Sequence, residues 1–509
     1  MRRLGIIAYL VVPTRAGAQL PPVGVPGGVV RVELEGSLET YDRRFRNGTR
    51  EGYAVDLTSS ALGGDRIPAL TDADARIGRI TGNAANRINL GAVSADALVD
   101  VGTGFFGLSL GLTNHITIFG RIPLVRARVQ PGLVLSASGA NAGFSPDPTA
   151  QGAFFTEFDN ALSTLSAKLA AGDYDGDPAR RALAEATLAD GTALRADLFG
   201  LLADPPTASP VLPIEASTAG SAVRSRVTAL QTTLATNLDV PGFSLTPALP
   251  TQALTDTELE DVLTSPAGPI AAQTEEESTT FRGDAEAGAS LTLIDRWDRD
   301  RRRGGFRAAV SALVRFPTGR LDRTDHPLDV GSSEGQTDVQ VDVTTDLGSG
   351  PLGARLSGTY VRQLPSDVMR RVTSPSQPFA GPSRLARVRR DPGDVLAIGA
   401  KPFYRVARTF ALQAGVEHWS RTSDEVSYAS PADALPGIDA SVLALESRAN
   451  ATVLSLGVTY ANPAGLRPGG RGLPVDAVWS YERVLRAGGG RVPNAHTVRA
   501  RLRIYFGVW

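Results

Sequence analysis

The sequence predicts an all-β transmembrane chain: an antiparallel up-and-down barrel of about 12 strands, with 14 possible, carrying an α-helical insert. Three observations predict it. The last fourteen residues, 496–509, alternate apolar and polar side chains up to an aromatic end; segments of membrane-crossing length recur through 280–509, most of them alternating; and residues 128–279 change to helical spacing and proline punctuation.

In the closing segment, Val498, Ala500, Leu502, Ile504, Phe506 and Val508 share one face. Arg499, Arg501, Arg503 and Tyr505 share the other, as suits a strand with lipid on one side and water on the other. The ending resembles the closing strand of bacterial outer-membrane β-barrels, whose terminal aromatic helps the barrel-assembly machinery recognise the chain. That resemblance implies the outer membrane of a Gram-negative-type bacterium, with its lipid and lipopolysaccharide as surroundings. Trp509 falls on the arginine parity, so the strand either stops at Phe506 or bends in its last residues.

The other end agrees. Met1-Arg2-Arg3 is basic, Leu4 to Val12 is a short apolar run, and Ala16-Gly17-Ala18 has the small-x-small form of a signal-peptidase site, so residues 1–18 read as a signal peptide. The run is too short to span a bilayer as a helix, and no longer one follows, so insertion must be by strands. A chain of 509 residues with no Cys excludes disulfide scaffolds and Cys-ligated metals. Its net charge of −1 gives no global field for nucleic acid. Lysine stands only at 168 and 401, so arginine carries nearly all the cationic chemistry.

Residues 19–127 supply the first barrel strands. From Val30 onward Val32, Leu34, Gly36 and Leu38 alternate with Arg31, Glu33, Glu35, Ser37 and Glu39. Residues 98–113 and 115–127 form a hairpin about Thr113-Asn114-His115. Its wording, LSLGLTNHITIFGRIPLV over 108–125, resembles transporter barrels of the family named for the MetA pathway of phenol degradation, and more loosely the long-chain fatty-acid transporters. The resemblance covers about twenty residues. It implies an outer-membrane channel for small molecules, apolar or aromatic ones among them.

Residues 280–509 hold nine further strand segments: 280–294, 304–317, 335–348, 352–364, 392–406, 409–421, 449–461, 473–485 and 496–509. With three before the insert the total is about 12; pairing of 49–60 and 87–97 would make 14. The polar parity predicts the pore lining: Arg282, Asp284, Glu286, Arg307, Arg315, Asp338, Asp342, Arg355, Lys401, Arg405, Glu417, Asp476, Glu482, Arg499, Arg501 and Arg503. Each Arg turned to lipid at mid-depth would cost roughly 2–4 kcal/mol, so this set must face inward. Connections at 348–351 and 406–409 are tight, while 318–334, 365–391 and 422–448 are long, which puts the long loops and the insert 128–279 outside. Helices are expected over 154–171, 178–202 and 222–238, forming either a cap over the mouth or a plug, with the cap favoured because their leucines can pack on one another.

The local motifs are weak. Gly102-Thr-Gly-Phe-Phe-Gly107 spells a dinucleotide fingerprint but runs into a strand, and Arg282-Gly283-Asp284 lies inside one. Asp173, Asp175 and Asp177 begin like a calcium loop that then lacks its glycine and glutamate, and His115, His326, His418 and His496 are too scattered to ligate a metal. His418-Trp-Ser420 faintly resembles the His-x-Ser of outer-membrane lipid A deacylases, with Arg421 where that family has Asn. The cluster Arg296, Arg299, Arg301, Arg302 and Arg303, interleaved with Asp295, Asp298 and Asp300, reads as a solvated periplasmic turn; Arg370, Arg371, Arg384, Arg387, Arg389 and Arg390 could meet lipopolysaccharide phosphates. No cofactor and no catalytic residue is implied. The leading expectation is a channel for small-molecule solutes, the alternative a barrel-anchored surface or structural protein acting through the insert, and the third a hydrolase at His418 and Ser420.

Overall fold

The computed structural model describes residues 24–298, 304–407, 409–462 and 474–508. The expected signal peptide, most of the basic turn after Asp298, and Trp509 lie outside the described residues. Twelve strands close a barrel: β1 (Val29–Tyr41), β2 (Ala92–Gly111), β3 (Ile116–Ser136), β4 (Glu286–Asp298), β5 (Gly304–Arg315), β6 (Asp338–Ser349), β7 (Leu352–Gln363), β8 (Val395–Arg405), β9 (Phe410–Arg421), β10 (Ala449–Ala461), β11 (Val475–Gly488) and β12 (His496–Gly507). Sequential strands pair antiparallel, and β12 pairs with β1 to close the ring.

Alternation decides which way each strand faces. On β12 the arginines turn inward and Val498 and Phe506 outward, and the same division gives an outer wall of exposed Leu34, Phe106, Ile118, Val341, Leu356, Ile398, Leu412, Leu456 and Trp479. An apolar band that circles every side of a sheet has no place in water, so the barrel spans a bilayer. Among the described residues no helix is long and apolar enough to cross one.

The fourteen-strand alternative is corrected. Thr49–Gly52 pairs with Arg43–Arg46 in a small side sheet with Arg491–Pro493, and residues 92–97 are the upper part of β2. The segment expected as one strand over 280–294 is interrupted. Glu277–Arg282 pairs with β3 at Leu124, and β4 resumes opposite Arg121, so four steps on one strand face three on the other. The extra residue is a bulge that inverts parity.

Tight turns sit at the end where the chain terminates. The long connections 42–91, 137–276, 316–337, 364–394 and 422–448 share the opposite end, which outer-membrane barrels turn outward. There β2 and β3, 20 and 21 residues long, project beyond β8 with its 11. The inner faces of these projections (Val93, Val99, Val125 and Val129) join a hydrophobic core with five helices: α1 (Pro68–Thr81), α2 (Gly152–Ala171), α3 (Pro178–Leu202), α4 (Thr218–Thr232) and α5 (Asp256–Thr264). Local chemistry sets their limits. The Asp177 carboxylate accepts the first free N–H groups of α3, Thr255 and Glu258 form a capping box on α5, and Gly172 at φ 78° ends α2. Phe158 stacks on Phe243 at 4.6 Å within this core. Leu328, Val330, Phe379 and Ala495, from three barrel loops, complete it, so the helical layer lies across the loop end of the barrel. Arg371 fastens it, donating to the carbonyls of Ile270, Ala380 and Ala271 at 2.8, 2.8 and 3.1 Å.

Candidate functional site: the charged lumen

The inward parity of the strands brings cations and carboxylates together along the whole barrel. Near the outward end Arg315 of β5 bridges Glu286 of β4 at 3.0 Å and Asp338 of β6 at 2.7 Å, and Arg121 of β3 closes on the same Glu286. Deeper, Asp346 of β6 is held between Arg307 of β5 and Arg355 of β7, each at 2.7 Å. Asp342 accepts from Gln340 and Thr359 at 2.8 and 2.7 Å. Across the seam Arg499 reaches Glu35 at 2.7 Å and Glu482 at 3.6 Å, Arg503 pairs with Glu33, and Arg501 stands between them opposite Glu35 in register. At the terminal end Tyr505 donates to Asp476, and Arg405 to the Gly350 carbonyl. Lys401 lies over Gly415, where an added Cβ would come within 2.7 Å of its Cγ, with Glu417 and Glu482 as its acidic neighbours and Arg499 and Arg355 as its basic ones.

These groups are taken out of water. Asp346 is 1% exposed, Arg307 3% and Arg355 4%. Charges buried so deeply are tolerable only when paired, and Asp346 and Glu286 each meet two guanidiniums. A small polar cavity of about 70 Å³ remains near the outward end, lined by Thr103, Asp284, Glu286, Arg315 and Gln336.

Of the residues read from the sequence as pore lining, the structure brings fifteen to the inner side and corrects one. Arg282 is in register with the outward-facing Leu124 and is exposed, because the bulge at Gly283–Ala285 inverts the alternation the sequence suggested. Asp284 sits in that bulge and accepts the Gly319 N–H at 2.9 Å. Sequence reasoning left out Glu33, Glu35, Arg121 and Asp346. The alternation of β1, β3 and β6 carried the signal for all four.

The weaker motifs have structural roles. His418 faces outward, and its Nδ1 lies 3.1 Å from Thr452 Oγ1. The glycines 102–107 belong to β2. Asp177 caps α3, while Asp175 pairs with Arg181 and Asp173 with Lys168. In the outer loop Arg370 pairs with Asp322 at 2.7 Å, Arg390 with Asp424 at 2.9 Å, and the exposed Arg387 with Asp367 at 3.1 Å, so these guanidiniums already have carboxylate partners.

No family model matches the chain, and no curated protein matches it. Among solved structures it is similar to an outer membrane channel from Pseudomonas putida F1, at 10% identity and a TM-score of 0.44, covering 96% of this chain and 100% of that one. It is similar to the transport unit of the autotransporter AIDA-I from Escherichia coli at 7% identity, TM-score 0.33, covering 99% and 100%. A Pseudomonas aeruginosa FadL homologue aligns at 8% identity, TM-score 0.28, covering 94% and 90%. Likenesses this distant say nothing about the lumen, which rests on the chain's own residues.

Proposed function

We propose that the chain is an outer-membrane channel for small molecules, with residues 137–276 as an outward cap that controls access to the lumen. The supporting observation is the lining itself: a charge-balanced polar wall from Asp476 at the terminal end to Asp338 and Gln363 at the outward end. Its oxygens Gln340 Oε1, Gln363 Oε1 and Ser480 Oγ meet no protein donor. Such a wall offers its remaining acceptors to water or solute. The ion pairs bridge neighbouring strands rather than the helices, so they can part without unfolding the cap. Small apolar or aromatic solutes are the proposed cargo, from the likeness over 108–125. The reading is of a transport protein, not an enzyme.

One observation favours the second reading, a barrel that only anchors its helical domain: the near-complete burial of Asp346, Arg307, Arg355 and Asp476. Liposomes holding the purified protein discriminate the two. A channel admits a small aromatic solute, and the uptake increases when the cap is loosened at Arg371. An anchor leaves both liposomes as tight as protein-free ones.

A further inference from the structure

The outer wall carries a charged site that the lumen does not use. Thr452 and Val453 are consecutive on β10 but face Arg486 and Val484 on β11, so Leu485 is an inserted residue. This bulge turns Arg486 onto the same outward face as Arg483, which is opposite Leu454, and leaves Leu485 half exposed beside them. Both guanidiniums are exposed at the upper border of the apolar band. Their neighbours bring no negative charge: His496 is opposite Arg483, and Thr452 Oγ1 lies 3.4 Å from Arg486 Nε. Among the described residues, no carboxylate pairs with either arginine. Two other outward arginines near this border are neutralised, Arg128 by Glu276 at 2.8 Å and Arg362 by Asp394 at 3.0 Å, while Arg126 and Arg282 stand on separate strands rather than together on one.

Below this pair the wall is hollowed. Trp479, Ala500, Gly36 and Gly104 form one register row across β11, β12, β1 and β2, and a Cβ at either glycine would meet open space. The result is an apolar groove of about 1010 Å³ on the lipid side, bounded by Phe106 and Leu34. Trp479 is four residues from Arg483 on one strand, about 13 Å lower. Two unneutralised guanidiniums above an apolar trough match a phosphorylated headgroup above its acyl chains.

We propose that Arg483 and Arg486 hold a phosphate of outer-leaflet lipopolysaccharide while the groove beneath takes its acyl chains. A second barrel docked symmetrically here would bring like charges together at Arg483 and Arg486, which disfavours that occupant. The proposal does not depend on whether the lumen conducts.

Native mass spectrometry of the full chain in detergent tests it, with diphosphoryl lipid A, its dephosphorylated form and inorganic phosphate as probes. The double substitution Arg483→Gln and Arg486→Gln should reduce retention of diphosphoryl lipid A by about tenfold, the size of one lost charge-assisted contact. The Arg483→Lys and Arg486→Lys pair should keep part of it, and Arg128→Gln all of it. The dephosphorylated form should bind the unaltered protein and the Gln variant equally weakly, and millimolar phosphate should not displace the lipid. Equal retention of diphosphoryl lipid A by the unaltered protein and the Gln variant would overturn the proposal. So would displacement by phosphate alone, or a dimer abolished by Ala500→Trp with lipid retention unaffected by the Gln pair.

Discussion

Glu33 and Arg503 stand opposite each other in the register of the first and last strands, and the Arg503 guanidinium donates to the Glu33 carboxylate inside the barrel. One strand at this seam supplies Glu33, Glu35 and Glu39 and the other Arg499, Arg501 and Arg503. The charges therefore reinforce what alternation sets: a slip of one residue by either strand would turn its three charges toward lipid and away from their partners.

Disturbing that pair should be costly. Glu33→Gln leaves Arg503 buried without its carboxylate, and loss of one partner of a buried pair costs about 3–5 kcal/mol. Arg503→Gln should cost a similar amount, and the double variant less than the sum, with a coupling of about 1–3 kcal/mol. The temperature at which the folded band on a semi-native gel shifts to the unfolded one measures each. Additive losses would mean that the two side chains do not interact.

Much of this architecture was legible in the chain, because a barrel writes its rule once per strand. Val498 against Arg499, or Val341 against Asp342, states inside and outside without any tertiary information. What alternation could not show is where it breaks. The bulge before Glu286 reverses Arg282, and the bulge at Leu485 turns Arg486 outward; neither extra residue changes the composition of its segment. Pairing of specific charges was hidden as well. That Asp346 meets both Arg307 and Arg355 depends on which strands are neighbours and on their stagger, and α1 was missed because its apolar face packs against α3 and α4, which follow only after β2, β3 and α2 in the chain.

The position of the helical layer predicts where a protease can reach. Pro205, Pro206 and Thr207 are exposed between α3 and α4, while Val211 and Leu212 are buried in the strand that follows. A protease of broad specificity added to intact cells should therefore cut within 205–207 and leave 211–213 and the barrel strands whole, read as two bands on a denaturing gel. Cutting only after the outer membrane has been opened would place this end in the periplasm.

Acid should loosen the outward end first. Burial alone would push the Asp56 carboxyl up, but Arg491 and Arg44, each at 2.7 Å, together with Arg46, hold it below the usual carboxylate range. A carboxyl depressed in the folded state contributes stability that is present above its unfolded value of 3.8 and is lost as pH falls through the folded one. Thermal stability of the outward end should thus stay level on this account from neutral pH to about 5 and fall below about 4. Asp56→Asn should flatten that fall and lower stability at neutral pH by about 3–5 kcal/mol, since Arg44 and Arg491 stay buried. An unchanged melting curve at pH 7 would show that the cluster adds nothing.

Replacing Arg499, Arg501 and Arg503 with Gln removes three positive charges from one inward face and leaves Glu33, Glu35 and Glu482 without them. In planar bilayers, molecules that keep their heat-modifiable fold should then show a reversal potential shifted toward cation selectivity in a salt gradient, because the charge lining a narrow path sets the ion it favours. The unaltered barrel, with both signs balanced, should be only weakly selective. Its closed ion-pair ladder also predicts brief, infrequent openings, and Arg371→Ala, which cuts three hydrogen bonds to the carbonyls of 270, 271 and 380, should lengthen them. Silence from the unaltered protein, from the arginine variant and from Arg371→Ala alike would leave the barrel as an anchor for its helical layer.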